Sequence, residues 1–483
     1  MNFEKIVMLA FAAMLLNGCA GPLPEAEPPE EEPLPTAQAV PLASTLVAAL
    51  PDKIIDPLSL QYLGAFTLPA GGDRPRTFDY GGNAMTFNPA GDPDGPDDGF
   101  PGSLFITGHD RLPYGELPDG SQVAEVTIPV PSLDRDPALL PGAAFLQDFA
   151  DVTRGHFTTM DEIVRTGLLY LDTPASGPRL HIAWGQHFEP DPPAPTHGWF
   201  SPDLSKPEFT GEWFLDGQSW YSINDYLFEI PSAWADDHAQ GRVIATGRFR
   251  DGGWSGMGPA LIAYRPWDGN GNPPPNGATL ETTALLRYAD STETDIIERS
   301  LDGYQHPDEW NGGAWLTDPS GSSAVLFAGT KSNGDKYWYG YVNPAGADQP
   351  CVDTDVTDFV TCRLSDGSPC PAEDFTGCPA HNDYRGWWST HWDAEFLFYD
   401  PTELARVANG ELASWEPQPY AILDIDEHLL FNPAEVETDM VGTGEQRRYR
   451  LGDVAYDRAN GHLYVLELYA NGAAPVVHVW HVP

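Results

Sequence analysis

The stretch LFITGHD at Leu104–Asp110 returns in paler form as HIAWGQH (His181–His187), VIATGRF (Val243–Phe249) and VLFAGTK (Val325–Lys331). A short, largely apolar run that stops on Gly and recurs at long intervals constrains this chain more than any other feature. It marks one supersecondary unit used repeatedly, which cannot bury its own apolar faces and must stack against copies of itself.

The echo extends to both sides of each run. Before each one lies a strand that ends near Asp, Asn or Pro: Tyr80–Pro89, Val164–Asp172, Ile223–Pro231, Asn311–Pro319 and Leu451–Asp457. After it come a third strand (Gln122–Pro129, His197–Leu204, Gly258–Trp267, Asp393–Pro401, Pro475–Pro483) and a fourth (Ala144–Phe149, Phe209–Leu215, Thr283–Ala289, Pro419–Ile425). The last unit stops at three strands, and LQYLGAFTL (Leu60–Leu68) matches the missing fourth. Five four-stranded units, the last completed from the N-terminal side, predict an all-β, five-bladed β-propeller over residues 52–483. Six or seven blades, or a sandwich with accidental similarity, are the alternatives.

Composition agrees. The 483 residues are 41% hydrophobic and 12% aromatic, enough for a sizeable core, and 48 Gly with 48 Pro supply many turns. Acidic residues number 71 against 25 Lys and Arg, for a net charge of −46. That balance excludes nucleic acid and an anionic membrane surface as partners. It suits solubility in a salty medium, or attraction of a cationic ligand.

The first 19 residues carry one apolar stretch, Ile6–Leu16, too short to span a membrane, followed by Leu16-Asn17-Gly18-Cys19. This ending resembles the bacterial lipobox. The resemblance implies an exported protein cleaved before Cys19 and anchored through a lipid on its thiol, on the periplasmic side or at the cell surface. Residues 20–51, rich in Pro and Glu, read as a disordered tether. The remaining cysteines, Cys351, Cys362, Cys370 and Cys378, form no CxxC pair. Their even number in an exported chain predicts two disulfides within an insertion at 341–392, with the pairing open.

In a propeller the residues just past each second-strand Gly gather at one mouth of the axis, together with the starts of the first strands. The sequence therefore nominates His109 and Asp110, Gln186 and His187, Arg248 and Arg250, and Thr330 and Lys331. In the fifth unit Glu467 stands where the others have Gly, with Tyr469 beyond it. First strands add Tyr80, Asn83, Asn224, Asp225, Trp310, Arg450 and Asp453. The insertion contributes Trp387 and Trp388, whose flat apolar faces beside polar groups suit sugar rings.

Two chemistries fit these side chains. Glycoside hydrolysis needs a pair of carboxyls, for which Glu467 with Asp225 or Asp453 are the candidates. Elimination on a uronic-acid polysaccharide needs a base, for which His109, His187, Tyr80 and Tyr469 serve. It also needs a cation on the sugar carboxylate, for which Arg248, Arg250 and Lys331 serve. Asn83, Gln186, Trp310, Trp387, Trp388 and Tyr469 would line the binding surface. A non-catalytic propeller displaying a glycan- or protein-binding face is the third reading. The architecture resembles that of five-bladed propeller glycosidases, over Leu60–Pro483 and at the level of fold alone, so no residue role follows from it.

The expectation is thus a monomeric, carbohydrate-active protein that takes a polysaccharide or oligosaccharide, with hydrolysis favoured. No metal-ligand motif occurs. Calcium is the one cofactor hinted at, by the acidic turns Asp92–Gly99 and Asp268–Asn272.

Overall fold

A computed structural model describes residues 53–92, 95, 98–109, 122–153, 155, 165–185, 191–248, 256–289, 299–305, 307–337, 352–353, 360–361, 388–434, 436 and 450–483. Within strands, the side chains of residues 165, 334–337, 352–353, 360–361 and 388–390 are not described. Cys19, residues 1–51, all four cysteines of the insertion, and Gln186, His187, Arg250 and Trp387 lie outside the described residues.

The chain builds a five-bladed β-propeller. Four-stranded sheets form from Met85–Asn88, Ser103–Thr107, Gln122–Thr127 and Phe145–Asp151 (blade 1), and from Leu227–Glu229, Ile244–Thr246, Leu261–Tyr264 and Thr283–Leu286 (blade 3). Blade 2 runs Arg165–Thr173, Gly177–Gly185, His197–Phe200 and Thr210–Leu215. It gains a short fifth strand, Thr279–Leu280, which reaches over from the blade 3 connection and pairs in parallel with Phe214–Leu215. Blade 4 runs Glu309–Thr317, Ser323–Tyr337, Trp388–Tyr399 and Ala421–Asp424. Its second and third strands continue their ladder outward to Tyr337 and Trp388, so residues 388–392, expected in the insertion, belong to the sheet. Two short helices, Ser232–His238 and Pro401–Ala408, sit in connections; Asp400 caps the second through the Thr402 amide.

Blade 5 closes the ring as the sequence predicts. Leu451–Asp457, His462–Asn471 and Ala474–His481 are completed by Gln61–Thr67, in antiparallel register from Gln61 opposite His481 to Thr67 opposite Val476. The outer edge of that closing strand is itself covered. Ala65 exchanges backbone hydrogen bonds with Ser132 at 2.8 and 2.9 Å, and Thr67 with Pro141 and Ala143, all from the blade 1 connection. An open strand edge is a template for unwanted pairing, and here another blade occupies it.

The core is divided among the five blade interfaces, and each holds one apolar cluster. Phe105, Leu168 and Trp184 fill the junction of blades 1 and 2, and Trp199, Ile244 and Tyr264 that of blades 2 and 3. Phe228, Trp315 and Phe327 join blades 3 and 4; Leu326, Phe396 and Val465 join blades 4 and 5; Met85, Ile106 and Tyr464 join blades 5 and 1. The five first strands pack against one another in cyclic order around the axis.

The recurring glycines now have a cause. A Cβ on Gly185 would collide with the Asn224 amide of the next blade, and one on Gly329 with the Glu309 carbonyl. Second strands end where neighbouring chain crosses them too closely for a side chain.

Candidate functional site

First strands begin, and second strands end, at the same mouth of the axis. Among the described residues, three polar groups there involve nominated side chains. On blade 3, Arg248 (2% exposed) donates from Nη1 to Asn224 Oδ1 at 2.9 Å and to the Trp220 carbonyl at 3.3 Å. Its guanidinium lies 5.2 Å from the Tyr221 ring. Between blades 4 and 5, Arg450 Nη2 lies 3.4 Å from Glu309 Oε2, with both side chains almost wholly buried. The two occupy matching positions, each just before the residue opposite Gly329 or Glu467 in register, so the repeat itself brings them together.

The third group joins blades 1 and 5. Tyr80 meets His109 edge-on, with ring centroids at 5.8 Å, and Tyr469 at 6.1 Å; Arg450 lies 6.0 Å over the Tyr469 ring. Tyr80 and Tyr469 both take the left-handed backbone conformation, at φ 59° each. That conformation is uncommon away from glycine and concentrates at functional sites. The Nδ1 of His109 donates to the Asp79 carbonyl at 2.6 Å, which fixes the tautomer of the neutral ring and makes Nε2 its basic nitrogen.

Four nominated residues are engaged in packing or polar contacts of their own. The carboxylate of Glu467 accepts from the Leu430 and Phe431 amides at 2.8 and 2.7 Å and lies 2.8 Å from His478 Nε2. It shares a strand face with Val465, which packs into the blade 4–5 core. Asp453 is fully buried and accepts from the Met85 and Val454 amides at 3.1 and 2.8 Å, clamping blade 5 to blade 1. Burial pushes its carboxyl well above the usual range, and the charge of Asp225 adds to this. Trp310 lies in the blade 3–4 core, against Gly329. Lys331 Nζ is tied to the Gly303 carbonyl and to the buried Asp308 carboxylate, both at 2.7 Å.

Asp225 and Asn83 are buried at the starts of their first strands, as nominated. Trp388 opens the third strand of blade 4. Glu309 was not singled out by the sequence. The signal lay in its position directly ahead of Trp310, matching Arg450 ahead of Leu451.

Cation sites are sparse among the described residues. Asp268, in one acidic turn, spends Oδ1 on the Asn270 and Asn272 amides at 2.8 and 2.9 Å, as turn-forming Asp residues do. At the outer edge of blade 4, Asp393, Asp424 and Asp426 offer oxygens within 4.8 Å of one another. Burial pushes Asp426 up to about 7 and the adjacent Glu395 up to about 8. His391 Nε2 already lies 2.6 Å from Asp393.

No protein-family model matches the chain, and no curated protein does. Among solved structures it is similar to Chaetomium thermophilum Polycomb Repressive Complex 2 bound to GSK126. The two share 8% identity over 87% of this chain and 98% of that one, at a TM-score of 0.30. A humanized mutant of that complex bound to GSK343 gives 9% identity over 87% and 97%, again at 0.30. Likeness this remote transfers no property of that complex.

Proposed function

We propose that the mouth formed by Tyr80, His109, Tyr469, Arg450 and Arg248 cleaves a uronic-acid-containing polysaccharide by β-elimination, in a protein exported and held at a bacterial membrane by a lipid on Cys19. The supporting observation is the row His109–Tyr80–Tyr469–Arg450, which sets Tyr469 of blade 5 against a buried guanidinium and joins it through edge-on ring contacts to Tyr80 and His109 of blade 1.

The chemistry follows from that order. A guanidinium neutralises the sugar carboxylate and so acidifies the C5–H. His109 Nε2 or a tyrosine oxygen removes that proton, the C4–C5 double bond forms, the C4–O bond breaks, and a neighbouring hydroxyl protonates the departing oxygen. Hydrolysis has less support. Its carboxylate Glu467 already takes two amides and an imidazole, and Asp453 is committed to two amides.

The test is incubation of the folded domain with polygalacturonate, alginate and neutral glucans. Ultraviolet absorbance of unsaturated products and reducing ends are read together. Elimination yields both signals with a uronate polymer, and His109→Ala or Arg450→Met should lower the rate at least about a hundredfold. Reducing ends without ultraviolet absorbance would overturn elimination in favour of hydrolysis. Binding without either signal would leave a glycan-binding module.

A further inference from the structure

The opposite mouth of the axis holds a cavity of about 330 Å³, at the small end of the range for ligand sites. All five first strands line it as they end. Met85, Leu169, Leu227 and Ala455 supply apolar walls, and Tyr170, half-buried, an aromatic one.

The charged groups of its lining are Asp172, Glu229, Asp457 and Arg458: three carboxylates against one guanidinium. That guanidinium is already engaged. Arg458 reaches from blade 5 across the end of blade 4, donating to the Trp315 carbonyl at 3.1 Å and to the Thr317 hydroxyl, and lies 3.4 Å from Glu229 of blade 3. Asp457 takes the Ala459 and Asn460 backbone amides on Oδ1 and the Asn460 side-chain amide on Oδ2, which shape its turn. Asp172 stands exposed on the blade 2 side, next to Tyr170. The mouth is therefore net negative above an apolar, aromatic throat.

We propose that this cavity binds a small organic ammonium ion, its apolar part in the throat against Tyr170 and its charge at the Asp172 side of the rim. Attraction of a cation to a tyrosine face and to a carboxylate at a partly desolvated mouth act in the same direction. The site stands apart from the elimination mouth and does not rest on it. Tyr170 reports the field: its phenol is held above its ordinary range first by burial, then by the charges of Asp172 and Glu125.

Titration calorimetry of the folded protein with phenethylammonium, phenethyl alcohol and 3-phenylpropanoate tests the site. These probes share a ring and chain length and differ in charge. The ammonium should bind at least about tenfold more tightly than the alcohol, and the carboxylate most weakly, with the preference shrinking as salt rises. Asp172→Asn should remove the preference. Glu229→Gln, which also frees Arg458, should weaken the ammonium and strengthen the carboxylate. Arg450→Met, at the other mouth, should change none of these. Equal affinity for ammonium and alcohol, no ammonium binding up to about 10 mM, or a preference that survives Asp172→Asn would overturn the assignment.

Discussion

His478 Nε2 lies 2.8 Å from Glu467 Oε2, and neither side chain is more than 1% exposed. The other imidazole nitrogen lies 2.9 Å from the Tyr62 hydroxyl, and Tyr62 belongs to the closing strand. The acidic residue that replaces a glycine in the fifth unit thus anchors a chain of polar contacts from the second strand of blade 5 to the strand that seals the ring.

Glu467→Ala should therefore lower unfolding free energy by about 3 kcal/mol, because two amides and an imidazole lose a buried acceptor. Glu467→Gln keeps the shape and should cost less. Urea unfolding at neutral pH measures both. Full stability in Glu467→Gln together with abolished turnover would return Glu467 to a catalytic role.

Closure depends on Gln61–Thr67, so deleting Leu60–Leu68 exposes the outer edge of Ala474–His481. Aggregation or a steep loss of thermal stability is expected, whereas deleting Ala20–Val47 should leave the melting temperature nearly unchanged. Similar behaviour of the two truncations would contradict the role assigned to the closing strand.

His181 and His197 are completely buried between blades 2 and 3, and burial pushes each imidazole down to about 3. The unfolded chain holds the extra protons between the ordinary value near 6.5 and that depressed one. The contribution to stability is therefore complete above pH 6.5 and is lost as pH falls. Each ring should account for a slope of about 1.4 kcal/mol per pH unit between 6 and 4. His181→Phe should flatten urea-derived stability against pH by one proton; an unchanged slope would place the acid sensitivity elsewhere.

Salt dependence tests the functional proposal from another side. A chain of net charge −46 repels a polyuronate at long range, and screening over about 8 Å at physiological ionic strength weakens that repulsion while sparing contacts to buried guanidiniums. Turnover per unit substrate at low concentration should rise as salt increases from low values, before falling at high salt. A monotonic fall would mean that the substrate is not anionic.

The blades were legible because a short, largely apolar run ending on Gly recurs, and each terminal Gly has a local steric cause. Gly185 and Gly329 announce a close crossing without saying what crosses. The sequence located Glu467 along its strand correctly, but not the face it presents. Alternation places it with Val465 toward blade 4, rather than toward the axis. Lys331 was legible as a cation at the mouth, but its partner Asp308 comes from a separate connection. The Arg450–Glu309 pair joins two blades, and only closing the ring reveals such neighbours.

The covered closing strand also bears on how such a chain reaches its final form. Gln61–Thr67 is synthesised early, yet its ladder partner Val476–His481 follows only after about 400 further residues. Pairing along that edge must wait for the last blade, and contacts this distant in sequence form slowly. The segment Ser132–Ala143, which hydrogen-bonds the strand's outer edge, emerges much sooner. It can shelter the waiting strand as a built-in chaperone would, leaving a single edge open until the last blade arrives.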